Sequence, residues 1–378
     1  MRGAATLRLP PRAFIAFFII RTQIKYNNVM KKIMFCGGGS AGHVIPNIAL
    51  CEQLKNEFDL CYIGTDGIER DLCRDSGVPF YTFDGVKLVR GKVLCNLSIP
   101  VKLHKSVKEC MEILNQTKPD LLFCKGGYVS YPPAVAAAKM GIPVLTHESD
   151  VSLGLANKLI AGKCRRVLTA FPNTAVKIKN GIYTGTPIRR ELFGRDRIMA
   201  KRAFGCDLRP TVLVFGGGSG SKAINDCLRG CITELCRKYN ILHVCGKGNV
   251  VYSSLYGYKQ LEFSDDMGEV YACADYAVSR CGANAANELI ALKIPTLFIP
   301  LENGASRGDQ IDNALYFYER GLCKILRECD MTPASLQGAI DELISDKKLK
   351  TALKENTFKR GNERIIQEIK CALNESFN

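Results

Sequence analysis

At 378 residues the chain is long enough for two domains, each able to bury a core of its own. Its hydrophobic content of 47% is ordinary for a globular protein, and no apolar run approaches the roughly 18–20 residues that cross a bilayer. The net charge of +15 leaves the chain clearly basic, and its 18 cysteines include no C-x-x-C pair, which argues against structural zinc or a redox dithiol.

Residues 1–29 hold Arg2, Arg8, Arg12, Arg21 and Lys25, no acidic residue, and a short apolar run from Ala13 to Ile20. No small-residue cleavage site follows that run, so the segment reads as a leader or as sequence upstream of a true start at Met30. From Lys32 onward, apolar runs of strand length alternate with longer amphipathic stretches. Strands are expected at 32–36, 59–63, 121–124, 142–146 and 166–169, and helices at 44–56, 67–75, 102–116, 132–140 and 153–161. The second half repeats the plan, with strands at 211–215, 241–245, 275–279 and 295–299 and helices at 221–238, 267–273, 284–292 and 309–320. The charged stretch 189–209 holds the interdomain connection, and 333–375 reads as two or three amphipathic helices. The fold class that follows is α/β, with two Rossmann-like domains facing across a cleft. The expected bounds are 30–188 and 189–360, with 361–378 as a terminal helix that returns to the first domain.

Two glycine-rich loops about half a chain apart are near copies. Ile33-Met34-Phe35-Cys36 leads into Gly37-Gly38-Gly39-Ser40, and Val212-Leu213-Val214-Phe215 leads into Gly216-Gly217-Gly218-Ser219. A strand, a tight turn and a helix start bring backbone N–H groups and the positive end of a helix towards phosphate. A third cluster, Lys125-Gly126-Gly127-Tyr128, precedes a Pro132-Pro133 helix start. The plainer reading of all three is a tight turn and nothing more. Neither repeated loop matches the dehydrogenase fingerprint with its acidic ribose ligand, and the P-loop lysine is missing.

His43 follows the first loop, where it could serve as a general base or simply pack. His147 and Glu148 sit at another strand end; the glutamate could orient a ring, hold a hydroxyl or satisfy local backbone donors. In Arg280-Cys281-Gly282-Ala283-Asn284-Ala285-Ala286-Asn287-Glu288, the last residue lies about a turn into a helix, placed to meet a ribose diol. Residues 86–108 interleave apolar side chains with Lys87, Arg90, Lys92, Lys102, Lys105 and Lys108 and contain no acidic residue. Such a patch suits an anionic lipid surface, Lys87, Leu88, Arg90, Lys92 and Leu94 being its core, or it is one core helix with a basic loop. It lacks aromatic residues for base stacking, so no nucleic-acid partner is expected.

Taken together, GGGSAGHVIPNIAL (37–50), KGGYVSYPPAVAAAKMGIPVLTHESD (125–150), GLANKL (154–159), TGTPIRREL (184–192), GGGSGSKAIND (216–226) and FSDDMGEVYACADYAVSRCGANAANELIA (263–291) resemble the MurG-type N-acetylglucosaminyltransferases of bacterial peptidoglycan synthesis. The resemblance runs from about Met30 to Asn313. It implies the glycosyltransferase B fold and inverting transfer of GlcNAc from UDP-GlcNAc to the muramoyl 4-hydroxyl of undecaprenyl-diphosphate-linked lipid I, giving lipid II. It implies no cofactor and no metal. Its further implied partners are anionic membrane lipids and other cell-wall synthesis proteins, at the cytoplasmic face of the membrane.

By the same resemblance, His43 is the base, and Ser40, Ala41 and Gly42 lie beside it at the reaction centre. The UDP-GlcNAc side would comprise Asp150, Arg189, Gly218, Ser219, Ser264, Ala283, Asn284, Ala285, Ala286, Asn287, Glu288, Asp309 and Gln310. The acceptor diphosphate would meet Gly39, Gly126, Gly127 and Tyr128. Three positions depart from the commonest pattern: Ser40 replaces Thr, Asp150 replaces Asn, and Gly218 replaces Ser. A sugar-nucleotide epimerase or another lipid glycosyltransferase of the same fold, an oxidoreductase and a non-catalytic UDP-sugar-binding protein are the competing readings.

Overall fold

The structure is a computed structural model that describes residues 30–87, 98–302, 308–358 and 360–375. The first sheet contains β1 (Lys32–Cys36), β2 (Asp59–Gly64), β3 (Phe80–Thr82), β4 (Leu121–Cys124), β5 (Val144–Glu148), β6 (Arg166–Thr169) and β7 (Gly181–Tyr183). Their order is β3-β2-β1-β4-β5-β6-β7, with every pairing parallel. The second contains β8 (Thr211–Phe215), β9 (Asn240–Val244), β10 (Tyr258–Leu261), β11 (Tyr276–Ser279), β12 (Thr296–Phe298) and β13 (Lys324–Ile325). It too is parallel throughout, in the order β10-β9-β8-β11-β12-β13.

Helices cover both faces of the first sheet, so its central strands are apolar on both sides. The two-residue period of a strand then divides the core. Ile33, Phe35, Tyr62, Leu121 and Phe123 point into one cluster, while Met34, Cys36, Ile63, Leu122 and Cys124 point into the other.

The last helix, Asn362–Asn374, buries Ile365, Ile369, Ala372 and Leu373 in the first of these clusters. The chain therefore passes between the sheets twice, and the two crossings lie side by side. Gly361 N–H donates to Thr186 O at 2.9 Å, and Ile188 N–H to Asn362 Oδ1 at 2.9 Å. A Cβ on Gly361 would stand 2.5 Å from the Gly185 carbonyl carbon, so only glycine allows this approach.

The structure differs from the sequence reading at several boundaries. β5 begins at Val144 rather than 142, because Pro143 has no N–H and its carbonyl instead accepts from Leu122 N at 2.9 Å. The strand consequently extends to take in His147 and Glu148. β3, β7, β10 and β13 were absent from the expected strands. They are edge strands of two to four residues with half-exposed side chains, which leave no continuous apolar run to read.

Candidate active site

An open parallel sheet leaves its ligand crevice where the strand order reverses, beyond the carboxyl ends of the strands. In the first sheet that point lies between β1 and β4, which lead into the Gly37–Ser40 and Lys125–Gly127 loops. In the second it lies between β8 and β11, which lead into Gly216–Ser221 and Arg280–Gly282. The two sides meet directly, with Asn284 Nδ2 donating to Gly42 O at 2.7 Å. Deeper in the same junction the buried Asn313 donates to Asp150 Oδ1 at 2.9 Å and accepts from Val151 N at 3.0 Å. Ser152 Oγ and Asp309 Oδ1 are 3.0 Å apart, and the Phe171 and Tyr316 ring centroids are 4.6 Å apart.

The first glycine loop packs against a carboxyl side chain. Glu69 is fully buried; its Oε2 accepts from Gly39 N at 3.2 Å, and its Oε1 accepts from Thr65 N at 3.2 Å and from Thr65 Oγ1. A Cβ on Gly38 would collide with this carboxylate at 2.5 Å. The Gly39 N–H, expected to meet a diphosphate, is directed at Glu69, and the glycines here allow close approach to a protein carboxyl group. Tyr128 packs over the same turn, 2.7 Å from where a Cβ on Gly39 would stand.

His43 lies in the first turn of the helix Ala41–Leu54, which Ser40 precedes. Its Nδ1 is 3.1 Å from Lys125 O. A carbonyl oxygen only accepts, so Nδ1 carries a proton, and in the neutral ring Nε2 is then the basic nitrogen. Gly126 and Gly127 have φ of +90° and +77°, in the left-handed region that favours glycine. A Cβ on Gly127 would stand 2.3 Å from Gly38 O and 3.0 Å from His43 Cδ2, so this glycine makes room for both the loop and the ring.

Beneath the loop, Lys125 is 2% exposed, and burial pushes its ammonium down to about 8 against the opposing pull of Glu148 and Asp150. Of the uses open to Glu148, the structure shows the backbone one. It accepts from Ser149 N, Asp150 N and Gly154 N at 2.9, 3.0 and 2.8 Å, and from Asn157 Nδ2 at 2.9 Å. His147 is fully buried with Nε2 2.8 Å from Gly185 O, and burial holds its pKa well below the usual imidazole range. It is a packing histidine.

On the opposite side the helix Ala283–Ala291 begins after Gly282 with no side-chain cap. The first N–H groups of a helix have no intrahelical partner, so this terminus can receive an anion. Asn287 is buried and turns Nδ2 back to Ala283 O at 2.6 Å. Glu288 accepts from Tyr271 OH at 3.0 Å and pairs with Arg189 Nη2 at 3.5 Å. Burial raises the Glu288 pKa, with Arg189 working against it. Arg189 and Glu288 are thus one assembly.

Gly218 and Ser219 lie exposed on their loop, and Ser264 is half-buried on the turn before the helix Met267–Cys273. Gln310 Oε1 accepts from Leu301 N at 3.1 Å. Of the patch residues Lys87 is exposed, whereas Leu88, Arg90, Lys92 and Leu94 fall outside the described residues. Sequence reasoning gave no role to Glu69, Tyr271 or Asn313, and none to the Lys125 ammonium. Apart from Thr65 beside Glu69, their hydrogen-bond partners lie well away in the chain, and no local pattern marks them.

Residues 33–169 match the glycosyltransferase family 28 N-terminal domain, and residues 211–369 match its C-terminal domain. A Clostridium kluyveri protein named UDP-N-acetylglucosamine--N-acetylmuramyl-(pentapeptide) pyrophosphoryl-undecaprenol N-acetylglucosamine transferase is 44% identical over 322 residues, which cover 83% of this chain and 91% of that protein. The chain belongs to glycosyltransferase family 28. A Clostridium botulinum protein of the same name is 40% identical over 355 residues, 91% of this chain and 99% of its own. Among solved structures, Acinetobacter baumannii MurG superposes with a TM-score of 0.72 at 26% identity, covering 90% of this chain and 99% of that one. The two matched family domains correspond to the two sheets, so the switch points described above are one from each family 28 domain.

Proposed function

We propose that this family 28 enzyme transfers GlcNAc from UDP-GlcNAc to the 4-hydroxyl of the muramoyl sugar of undecaprenyl-diphosphate-linked lipid I, with inversion, giving lipid II. The observation that carries the reading is the 2.7 Å bond from Asn284 Nδ2 to Gly42 O. It sets an uncapped helix N-terminus on one domain against the histidine loop on the other. Inverting transfer needs a base on one side of the anomeric carbon and charge stabilisation for the departing diphosphate on the other.

In this reading His43 Nε2 takes the proton of the acceptor hydroxyl, while Lys125 O holds Nδ1–H and so keeps the ring in the basic tautomer. The N-terminus of the helix Ala283–Ala291, with Arg189, receives the negative charge that grows on UDP. Glu288 accepts from the ribose hydroxyls, with Tyr271 and Arg189 fixing its orientation. Ser264, Gly218, Ser219, Asp309 and Gln310 complete the donor side, with Asp150 at the junction. The Gly126–Tyr128 turn receives the lipid diphosphate.

The acceptor is membrane-bound, so the enzyme would work at the cytoplasmic face as a peripheral protein, against anionic lipids and beside other cell-wall synthesis proteins. No helix among the described residues is long and apolar enough to cross a membrane. The helix Ile99–Thr117 exposes Val101, Lys102 and Lys108, and Lys87 is exposed as well. Salt-sensitive binding to anionic vesicles, lost when Lys87, Arg90 and Lys92 are neutralised, supports this placement; binding that the neutralisation leaves unchanged contradicts it. The transfer itself is tested by product analysis with UDP-GlcNAc and lipid I.

A further inference from the structure

Three side chains form a continuous hydrogen-bonded chain across the cleft. Lys125 Nζ donates to Ser149 Oγ, Ser149 Oγ lies 3.4 Å from Asn284 Oδ1, and Asn284 Nδ2 donates to Gly42 O at 2.7 Å. Its two ends fix its direction. An ammonium can only donate and a carbonyl oxygen can only accept. Ser149 Oγ therefore accepts from the lysine and sends its own proton to Asn284 Oδ1. The amide must in turn present its NH2 to Gly42. Turning the amide over would set Asn284 Oδ1 against Gly42 O, two lone pairs facing each other.

The far end of this chain acts on the peptide group that joins Gly42 to His43. Lys125 thus references His43 twice, since its carbonyl accepts from the ring and its ammonium begins the chain that ends on the backbone. Lys125 is 2% exposed and its ammonium donates to Ser149 Oγ, while both Glu148 oxygens are engaged by N–H donors. A Cβ on Gly42 would stand 3.1 Å from Asn284 Nδ2, closer than side-chain packing normally allows, so glycine at 42 suits this contact.

We propose that Lys125, Ser149 and Asn284 form a directional strap. It holds the first turn of the helix Ala41–Leu54, and His43 with it, in register with the N-terminus of the helix Ala283–Ala291 on the other domain. Lys125 and Ser149 are then positioning residues for the transfer, a role that rests on the transferase reading above. The domains also meet through Asn313 and through Phe171 and Tyr316, so cutting the strap leaves them joined and changes alignment.

The test uses the full chain with Ser149→Ala, Lys125→Met, the double variant and the rescue variants Ser149→Thr and Lys125→Arg. The strap predicts that Ser149→Ala lowers kcat by about ten- to a hundredfold while UDP affinity stays within about twofold, since misalignment of about 1 Å costs that much. Adding Lys125→Met should cost little more, and the rescue variants should recover most of the loss. Additive losses, unchanged kcat, or loss of UDP affinity in step with kcat would overturn it. Ser149 is half-buried at the cleft, so its alanine variant carries the test even where Lys125→Met folds poorly. Amide hydrogen exchange gives a readout independent of turnover. Residues 41–47 should exchange faster in Ser149→Ala than in the wild type, and unchanged exchange would contradict the strap. A wild-type chain that binds UDP but transfers nothing would instead contradict the transferase reading.

Discussion

His43 has its ring tied at Nδ1 and its basic nitrogen set by the chemistry of the atom it faces. A base that acts only in the transition state affects turnover and leaves nucleotide binding alone. His43→Ala should therefore lower kcat by about 10²–10⁴-fold, with the dissociation constant of UDP from titration calorimetry nearly unchanged. An equal loss of both would remove the assignment. Lys125 carries a pH signature. Its ammonium stands at about 8 in the folded protein, below the ordinary 10.5. Below about pH 8 both states hold the proton and the cost of the buried charge is fully present. Between there and about 10.5 the unfolded chain holds the proton and the folded chain does not, so stability rises with pH. In the unfolded chain the cysteine thiols, which burial pushes up in the fold, also ionise in that range, so the comparison is with Lys125→Met. The melting temperature of the wild type should gain on that of the variant as pH rises through this window, and parallel curves would contradict the assignment. His43 was legible in the sequence because it follows a glycine loop at a strand end. Glu69 was not, because the glycine loop it bonds, through Gly39, lies thirty residues earlier in the chain.

Among the elements, the glycine turns divide by whether space surrounds them. Gly127 has φ of +77° and no room, with Gly38 O at 2.3 Å from a would-be Cβ. Gly127→Ala should cost on the order of 2 kcal/mol or more in denaturant unfolding and should also lower turnover through the His43 ring. At Gly218 nothing lies within 4 Å of a would-be Cβ, and its backbone is outside the left-handed region. Gly218→Ser should leave stability within about 0.5 kcal/mol. It restores the hydroxyl commonest in the resembling family, so UDP-GlcNAc affinity should rise about two- to tenfold, and an unchanged affinity would place the loop away from the donor. The central strands were readable since burial on both faces demands unbroken apolar runs such as Leu121–Cys124 and Thr211–Phe215. Edge strands such as Lys324–Ile325 escape that demand and gave no signal.

At the scale of the whole molecule, the last helix belongs to the core of the first sheet although it follows the second in sequence. Removing residues 362–378 would expose the surface now covered by Ile365, Ile369, Ala372 and Leu373, and would leave Arg166 without the Glu368 carboxylate 2.5 Å away. Four buried apolar side chains correspond to on the order of 5 kcal/mol, comparable to the whole stability of a marginal domain. The truncated chain should unfold at much lower denaturant or fail to accumulate, and a near-native unfolding curve would contradict this packing. The two-domain α/β plan was legible because strand–helix alternation repeats about the duplicated glycine loop. The contacts across the cleft were not, since Asn284 and Gly42 or Asn313 and Asp150 meet only once both sheets are folded.

The central claim is that the two switch points form one active site for GlcNAc transfer to a lipid-linked acceptor. The most direct test incubates the purified full chain with UDP-GlcNAc and lipid I and follows UDP and the lipid product together by mass spectrometry. The account predicts equimolar UDP and a disaccharide-linked lipid, with the rates of both falling together in His43→Ala. UDP released without the disaccharide lipid, or UDP-GlcNAc bound and returned unchanged, would contradict it.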